Sequence, residues 1–524
     1  MKVQKIPFRS TRAFTEFFLK YMDGDPVLQS FYSRFPSPGN FAAQLNDKSG
    51  YPEASRRTLT DCLRRQYAKL PVTGDPVSTN IDSLLQKNTF TITTGHQLNI
   101  FTGPLYFIYK IVTVINACKK LKEQYPSYHF VPVYWMATED HDYEEIKSFR
   151  LYGKKYTWTT KQQGAVGRFS THELEGVLQQ LPGDVTVFRE AYQKNKLLSD
   201  AVRQYVNQLF GPEGLVVVDA DDHELKKVLS PVMKEDVIAA MPFQLVKNAN
   251  DDLEGHGLTP GVNPREINFF YLDNNVRNRI EKKGDDFIVV DTPLKFSQKE
   301  IDKVINETPE KLSPNVILRP LYQELILPNL AYVGGPAELV YWLQLKGLFS
   351  HFKVPFPILL PRNFALVIDK PVARKLAKTG LDIQDFFEEK NFLFNQWVSR
   401  NSTRDLSLGT AMRTLEKLLL EIEERAKQID PGLGPMTGAE SQRMQHTLER
   451  IEKKMLRAEK RHHSDRLRQI ESVKDALFPS GGLQERTDNF LNFYQQDPDF
   501  IKRLLLYLDP FDFHFNVLTY HDEG

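Results

Sequence analysis

The sequence predicts an α/β protein with a largely parallel sheet, followed by an antiparallel α-helical coiled coil at the C-terminal end, and two patterns predict it. From about 88 to 362, short β-rich runs alternate with helical periodicities, as in successive βαβ units. After Pro361 the pattern changes: Leu408, Met412, Leu415, Leu419, Ile422, Ala426 and Ile429 alternate spacings of four and three, which is a coiled-coil seam. A chain of 524 residues is long enough for more than one domain. The expected division is an N-terminal helical segment at 1–87, a core at 88–370 with insertions near 147–210 and 242–300, a coiled-coil domain at 371–480, and a C-terminal segment at 481–524 returning to the core.

Taken in order, "NTFTITT" (88–94) reads as the first core strand. A helix is expected from about 104 to 121, with Leu105, Ile108, Val112 and Ile115 on one face and Lys119, Lys120 and Lys122 near the end that the helix dipole makes negative. "FVPVYWMAT" (130–138) is the next strand, "GLVVVDADDHELKKVLSPVMKEDV" (214–237) reads as strand, acidic turn and helix, and "FPILLP" (356–361) as another buried strand. In "KFSQKE" (295–300) Ser297 is placed to cap a helix. "DPGLGPMTG" (430–438) should stop the first coiled-coil helix. A second seam at Met444, Leu448, Ile451, Met455 and Ala458 loses register around His462 and His463, then resumes at Ile470, Val473 and Leu477. A helical hairpin with so long a seam predicts a homodimer joined through it.

Composition excludes several classes of function. With 68 basic and 67 acidic residues the net charge is +1, which gives no electrostatic reason to bind nucleic acid or an anionic membrane. The opening "MKVQKIPFRSTRAF" lacks the apolar core of a secretory signal and no transmembrane run occurs, so a cytoplasmic protein is expected. Cys62 and Cys118 have no C-x-x-C spacing and read as small buried side chains rather than a disulfide or a thiolate zinc site.

Three turns carry candidate chemistry. In "TTGHQLNIFTGPLYFIYK" (93–110) a strand ends at Gly95, His96 and Gln97, and Pro104 suits the first position of a helix capped by Thr102 or Gly103. Such a turn, at the carboxyl end of a parallel strand, offers backbone N–H groups to a carboxylate or phosphate, with His96, Gln97 and Asn99 adding side-chain donors. "WMATEDHDYEEI" (135–146) puts Glu139, Asp140, His141 and Asp142 after the next strand. A carboxylate beside a histidine fixes its tautomer and raises its basicity, the usual arrangement of a general base or a metal ligand. If this turn enters a helix, Glu139 and Asp142 share a face while Asp140 caps. In "YVGGPAELVYWLQLKGLF" (332–349), Gly335 and Pro336 open a helix with Glu338 in its first turn and Tyr341, Trp342 and Gln344 as possible walls. "VDADDHE" (218–224) is read as an acidic strand end without metal.

These motifs, with "SPNVILRPLYQELILPNLAYVGGPAELVYWLQLK", "PILLPRNFALVID" and "GLQERTDN", occur in the order found in the bacillithiol biosynthesis cysteine-adding enzymes, and the chain resembles that family from roughly 90 to 490. The resemblance implies a Rossmann-like core with connecting-peptide insertions and a coiled coil that mediates dimerisation. It also implies a ligase that joins cysteine to glucosaminyl-malate, the last step to bacillithiol, with ATP/ADP as nucleotide and no assigned metal. On that reading Asp140 or His141, with Glu139 beside them, acts as base or orients the amine. Gly95, His96, Gln97, Asn99, Thr102, Gly103 and Gly335 would bind substrate, the two turns offering anion-binding N–H groups to the malate carboxylates, with Glu338 holding the sugar or the ammonium group and Tyr341 as a wall. Arg362, Lys370, Glu485 and Arg486 would meet the nucleotide between core and coiled coil. No second histidine follows His96 until His129, so the H-x-G-H phosphate turn of class I synthetases is missing, as are the zinc-binding cysteines of a mycothiol-type ligase. Two other readings compete: a metal-dependent amino-sugar amide hydrolase with Asp140, His141 and Asp142 as ligands, and a non-enzymatic coiled-coil assembly factor.

Overall fold

The structure, a computed structural model, describes residues 1–70 and 75–521. Its centre is a five-stranded sheet in the spatial order Ile358–Pro361, Asn329–Gly334, Thr89–His96, His129–Met136, Val216–Asp219, with every neighbouring pair parallel. The chain starts in the middle, winds outward through His129–Met136 and Val216–Asp219, then returns to the other side. This is the doubly wound order, and the direction of winding reverses between Thr89–His96 and Asn329–Gly334. Helices cover both faces, so the strands are buried along nearly their whole length and read as unbroken apolar and β-branched runs. Thr91 and Thr93 fit such a strand because both hydroxyls donate to Asn329 Oδ1, at 3.1 and 2.9 Å. Asn329 in turn donates to Glu324, which holds the buried Lys48 ammonium at 2.8 Å.

The helix after the first strand runs Tyr106–Gln124 and is buried on nearly every side, not on one face. The reason is the C-terminal segment: helix Phe500–Tyr507 lies over it, and Asn116 Nδ2 donates to the carbonyls of Leu505 and Leu508. The segment predicted to be helical at 1–87 begins instead with strand Lys2–Pro7, which pairs with His514–Thr519, itself parallel to Phe364–Ile368. A pairing across the whole chain leaves no local periodicity to read.

Two insertions overhang the sheet. One carries the hairpin Ser148–Leu151 and Lys154–Thr157 and helices Thr186–Lys194 and Leu198–Phe210. The other builds an antiparallel sheet of Phe269–Asp273, Val276–Lys283, Asp286–Val289, Lys295–Ser297 and Leu312–Pro314, followed at Ser297 by a helix with a complete capping box.

Helices Gly409–Ile429 and Leu433–His462 form the coiled-coil hairpin, joined by Asp430–Gly432. The predicted stop at 430–438 is therefore shorter: Pro435 falls in the first helical turn, where its missing N–H is not needed, and the helix runs on through Gly438. The loss of register appears as a real break, with a new helix Ser464–Leu477 after His463, whose ring meets Trp397 edge-on at 5.4 Å. Leu419 is covered, but Ile429 is 82% exposed and Ile422, Met444 and Ile451 are also exposed along the single chain. Among the described residues no helix is long and apolar enough to cross a membrane.

The buried Lys48–Glu324 pair allows a stability test. Lys48→Met should destabilise the protein by about 3–5 kcal/mol, because it leaves an unpaired buried carboxylate. Lys48→Met with Glu324→Gln should recover much of that loss in denaturant unfolding, since the introduced amide oxygen still accepts from Asn329.

Candidate active site

A cavity of about 700 Å³ opens at the carboxyl ends of the parallel strands, at the place where the winding reverses. Open α/β sheets bind their ligands at that place. Gly95, His96 and Gln97 end the first strand at its floor, Glu139, Asp140 and His141 follow the second, and Gly335, Glu338 and Tyr341 come from the turn and helix after Asn329–Gly334.

The floor is closely packed. A Cβ on Gly95 would lie 3.2 Å from Arg319 Nη1 and 3.5 Å from the Tyr332 hydroxyl, so a side chain here would push the Arg319 guanidinium aside. His96 sits between Tyr106 and Phe107, with its Nε2 buried and unpartnered. Burial first, then the positive charge of Lys110, pushes its imidazole down to about 3, so it is neutral. Beyond Gln97 the chain turns away from the cavity. Phe101 N–H donates to the Tyr192 hydroxyl, Gly103 N–H to Ile100 O and Leu105 N–H to Asp488 O. The expected anion cradle at Asn99, Thr102 and Gly103 is thus absent: these residues shape a tight turn, none lines the cavity, and neither Thr102 nor Gly103 caps the helix. Gly103, at φ +61°, has Asn99 Cβ only 2.6 Å from where its own Cβ would be.

The turn at Gly335 is also internally engaged. Glu338 accepts from Gly335 N–H at 2.7 Å and from the Tyr332 hydroxyl at 2.7 Å, and pairs with Lys110 at 2.6 Å. Burial would raise its carboxyl, but Lys110 and these donors overcome that and hold it at about 2. Lys110, almost wholly buried, also donates to Gly95 O at 2.8 Å. Gly335 therefore has no free N–H for a malate carboxylate. Tyr341 accepts from Arg319 at 3.2 Å.

In the acidic turn each side chain has a separate task. Glu139 pairs with the buried Lys226, and burial raises its carboxyl above the ordinary range. The helix cap is Asp142, not Asp140: its Oδ1 accepts from Glu145 N–H at 3.3 Å and opens the helix Tyr143–Ile146. Asp140 points inward. Its Oδ2 accepts from Gln97 at 3.0 Å, and its Oδ1 from the N–H groups of His141 at 2.7 Å and Asp142 at 3.3 Å. Burial opposes ionisation, yet Arg277, 3.7 Å away, and these donors hold Asp140 below the usual carboxylate range. Arg277 also donates to His141 Nδ1. Burial and that guanidinium lower the imidazole, against the pull of Asp140 and Asp142.

The residues assigned to nucleotide do not form one site between core and coiled coil. Arg362 and Glu485 pair with each other in the interior, at 3.0 Å through Nη1. Arg362 and Arg486 line the same switch-point cavity as the acidic turn. Lys370, the first residue of helix Lys370–Thr379, does not line it.

The chain matches two family models, "Bacillithiol biosynthesis BshC, N-terminal Rossmann-like domain" over residues 1–363 and "Bacillithiol biosynthesis BshC, C-terminal coiled-coil domain" over residues 365–520. The chain belongs to the BshC family. A relative from Flavobacterium johnsoniae is 39% identical over 531 residues, covering 99% of this chain and 100% of its own. One from Cytophaga hutchinsonii is 38% identical and covers 99% of each, and one from Bacillus mycoides is 28% identical and covers 93% and 94%. Each is named "Putative cysteine ligase BshC".

In this BshC-family chain the cavity also gathers residues that the sequence reading missed. Arg265, Arg277 and Asn315 come from the second insertion or the chain just after it, Arg319 from helix Leu318–Ile326, and Glu145 from the end of the acidic turn. Among the described residues Arg265, Arg319 and Arg486 form no ion pair, and Arg319 donates only to the neutral side chains of Tyr341 and Gln323, so the cavity holds positive charge not neutralised by a carboxylate contact. A sequence signal existed for Lys110, a lysine in the apolar first half of its helix, well before Lys119, Lys120 and Lys122.

The neutral His96 predicts an acid sensitivity. Its folded-state affinity for protons is depressed from 6.5 to about 3, so its contribution is complete above pH 6.5 and is lost as pH falls toward 3. His96→Gln should flatten the fall of unfolding free energy in that window, by on the order of 1 kcal/mol per pH unit, as read by denaturant unfolding. Gly95→Ala should displace Arg319 and weaken anion binding while leaving the sheet intact, as read by circular dichroism and ligand titration.

Proposed function

We propose that this chain forms the amide between the carboxyl of cysteine and the amino group of glucosaminyl-malate in the switch-point cavity, completing bacillithiol. The observation that carries this reading is the division of charge in the cavity: an inward carboxylate at Asp140, and the arginines Arg265, Arg319 and Arg486, which form no ion pair among the described residues. An amino sugar linked to a dicarboxylate needs both. Guanidinium groups bind carboxylates through paired N–H donors, so Arg265 and Arg319 take the malate end, the role first expected of the turn N–H groups. Asp140 takes the amine end. A carboxylate has about four acceptor positions, and Gln97 and the two backbone donors fill three.

In the reaction the amine nitrogen bonds to the carboxyl carbon of cysteine, a carboxyl oxygen leaves with its electron pair, and the nitrogen loses a proton. Once bonded to that carbon the nitrogen is strongly acidic, so even a carboxylate held as low as Asp140 can accept the proton. Glu338 and Lys110 neutralise each other and keep the floor rigid. ATP belongs to the proposal as co-substrate: when bound, it supplies the chemistry that makes a carboxyl oxygen a leaving group. Arg486 fits its anionic phosphates, and Arg362, committed to Glu485, holds the segment that carries Arg486.

The hydrolase reading lacks comparable support. His141 Nδ1 meets a guanidinium, Asp142 caps a helix, and no group of three His, Cys, Asp or Glu side chains converges among the described residues. Dimerisation is also part of the proposal, supported by the exposed seam at Ile422, Ile429, Met444 and Ile451. A cytoplasmic setting, where ATP and cysteine are at hand, completes it.

The test is amide formation by the purified protein from cysteine, glucosaminyl-malate and ATP, followed by mass spectrometry. Asp140→Asn should lower kcat by about 10²-fold or more. Arg319→Ala should raise KM for glucosaminyl-malate about tenfold and leave KM for cysteine nearly unchanged. Wild-type protein that makes no amide, together with a deletion strain that keeps its bacillithiol, would refute the assignment.

A further inference from the structure

We infer that His141 is a hydrogen-bond donor and not a base: it presents Nε2–H to the carboxyl oxygen of cysteine under attack, and Arg277 is the positioning residue that fixes this tautomer. The inference rests on the amide-forming reading above and assigns a role within it.

A guanidinium has N–H donors and no acceptor. Since Arg277 Nη1 meets His141 Nδ1 within hydrogen-bond distance, Nδ1 must accept, and its lone pair is engaged. A neutral imidazole carries one N–H, which must then be at Nε2. The imidazolium would need a second N–H at Nδ1, aimed at an N–H of a cation, so this contact disfavours it. The Asp–His base pair suggested by the sequence does not form. Asp140 Oδ1 lies 3.7 Å from Nδ1, beyond a hydrogen bond, and accepts instead from the backbone N–H of His141.

Arg277 is poorly able to yield. Its side chain is 7% exposed, Nε donates to Ser313 Oγ at 3.1 Å, Nη2 reaches Pro314 O at 3.4 Å, and the guanidinium lies 4.1 Å from the centre of the Phe270 ring. All of these partners belong to the antiparallel sheet of the second insertion, which therefore sets the proton position on a histidine from the core. The groups facing the imidazole are Arg277 and Phe270 from that sheet and Asp140 and Asp142 from its own turn. His141 lines the cavity, and its ring hydrogen bond among the described residues is the one Nδ1 accepts from Arg277.

The step balances without a proton from His141. The amine lone pair forms the C–N bond, and the carbonyl π pair moves onto the oxygen facing Nε2–H. On collapse that pair re-forms the carbonyl, the other C–O bond breaks, and the leaving oxygen takes its electrons into the group derived from the nucleoside triphosphate. The amine proton passes to Asp140. A donor aimed at a developing oxyanion contributes about 10²–10³ in kcat.

The experiment combines spectroscopy and kinetics on the full chain. With ¹⁵N-labelled histidine, the His141 resonances are assigned by their loss in His141→Gln. At pH 7 the wild type should show a protonated Nε2 and an unprotonated Nδ1, and Arg277→Gln, whose amide oxygen can accept, should shift the tautomer. In turnover, His141→Met should lose about 10²–10³ in kcat with KM unchanged. His141→Gln, whose amide N–H can still donate, should stay within about tenfold of wild type and keep the acid limb of its pH profile. A proton on Nδ1 in the wild type would overturn the inference, as would a Gln variant as slow as Met with the acid limb abolished, or a Met variant as fast as wild type. Failure of the wild type to make any amide would remove the reaction and with it the donor role, but the tautomer is read without turnover and would stand or fall separately.

Discussion

The geometry of the cavity depends on one buried cation. Lys110 lies on the helix that leaves the first strand, and its ammonium joins the Gly95 carbonyl on one side of the switch point to Glu338 on the other. The ladder between the two strands reaches Thr94 and Val333, and beyond it Lys110 ties the diverging connections together. Burying an ammonium is costly unless it is paired and hydrogen-bonded, and here it is both. Because Gly335 N–H and the Tyr332 hydroxyl also bind Glu338, its carboxyl is held at about 2 and stays ionised at neutral pH. The nearby imidazole of His96, facing the same cation, is forced neutral.

With Lys110 and Glu338 satisfied by each other, the remaining charges fall into two groups. Lys226 with Glu139, and Arg362 with Glu485, are internal pairs that hold elements together. Asp140 and the arginines Arg265, Arg319 and Arg486 retain capacity for a ligand. Asp140 is kept anionic by donors that do not fill it, which suits an acceptor for an ammonium or for the acidic nitrogen of an addition intermediate. The same environment makes it a weak base toward a free ammonium, so the argument for its role lies in the acidity of the bonded nitrogen, not in a raised carboxyl.

The sheet was legible because its strands are buried on both faces: "NTFTITT", "FVPVYWM" and "FPILLP" can hardly be read as anything else. Asp140 and His141 were legible as a polar cluster at a strand end, and Ser297 as a cap. Their partners were not. Arg277 reaches His141 across 136 positions, and Lys226 reaches Glu139 across 87, within segments whose local pattern is that of an ordinary amphipathic strand or helix. The glycine-rich turns misled for a related reason. A turn sequence shows that N–H groups are available, but not that Tyr192, Ile100, Asp488 and Glu338 have already taken them.

The chain beyond the coiled coil supplies the last constraint. Gln484 bonds both the N–H and the carbonyl of Val367, Glu485 pairs with Arg362, and Asn489 donates to the carbonyls of Phe101 and Gly103. Arg486, between them, is thereby delivered to the cavity, and the turn after the first strand is held from behind by the same segment. Since residues 484–489 are reached only after the helical hairpin has gone out and come back, the core cannot close its own site. The hairpin must return its C-terminal chain to within hydrogen-bond distance of strand Phe364–Ile368. A change in how the hairpin sits would therefore be transmitted to Arg486 and to the Phe101–Gly103 turn through bonds already present in the resting fold.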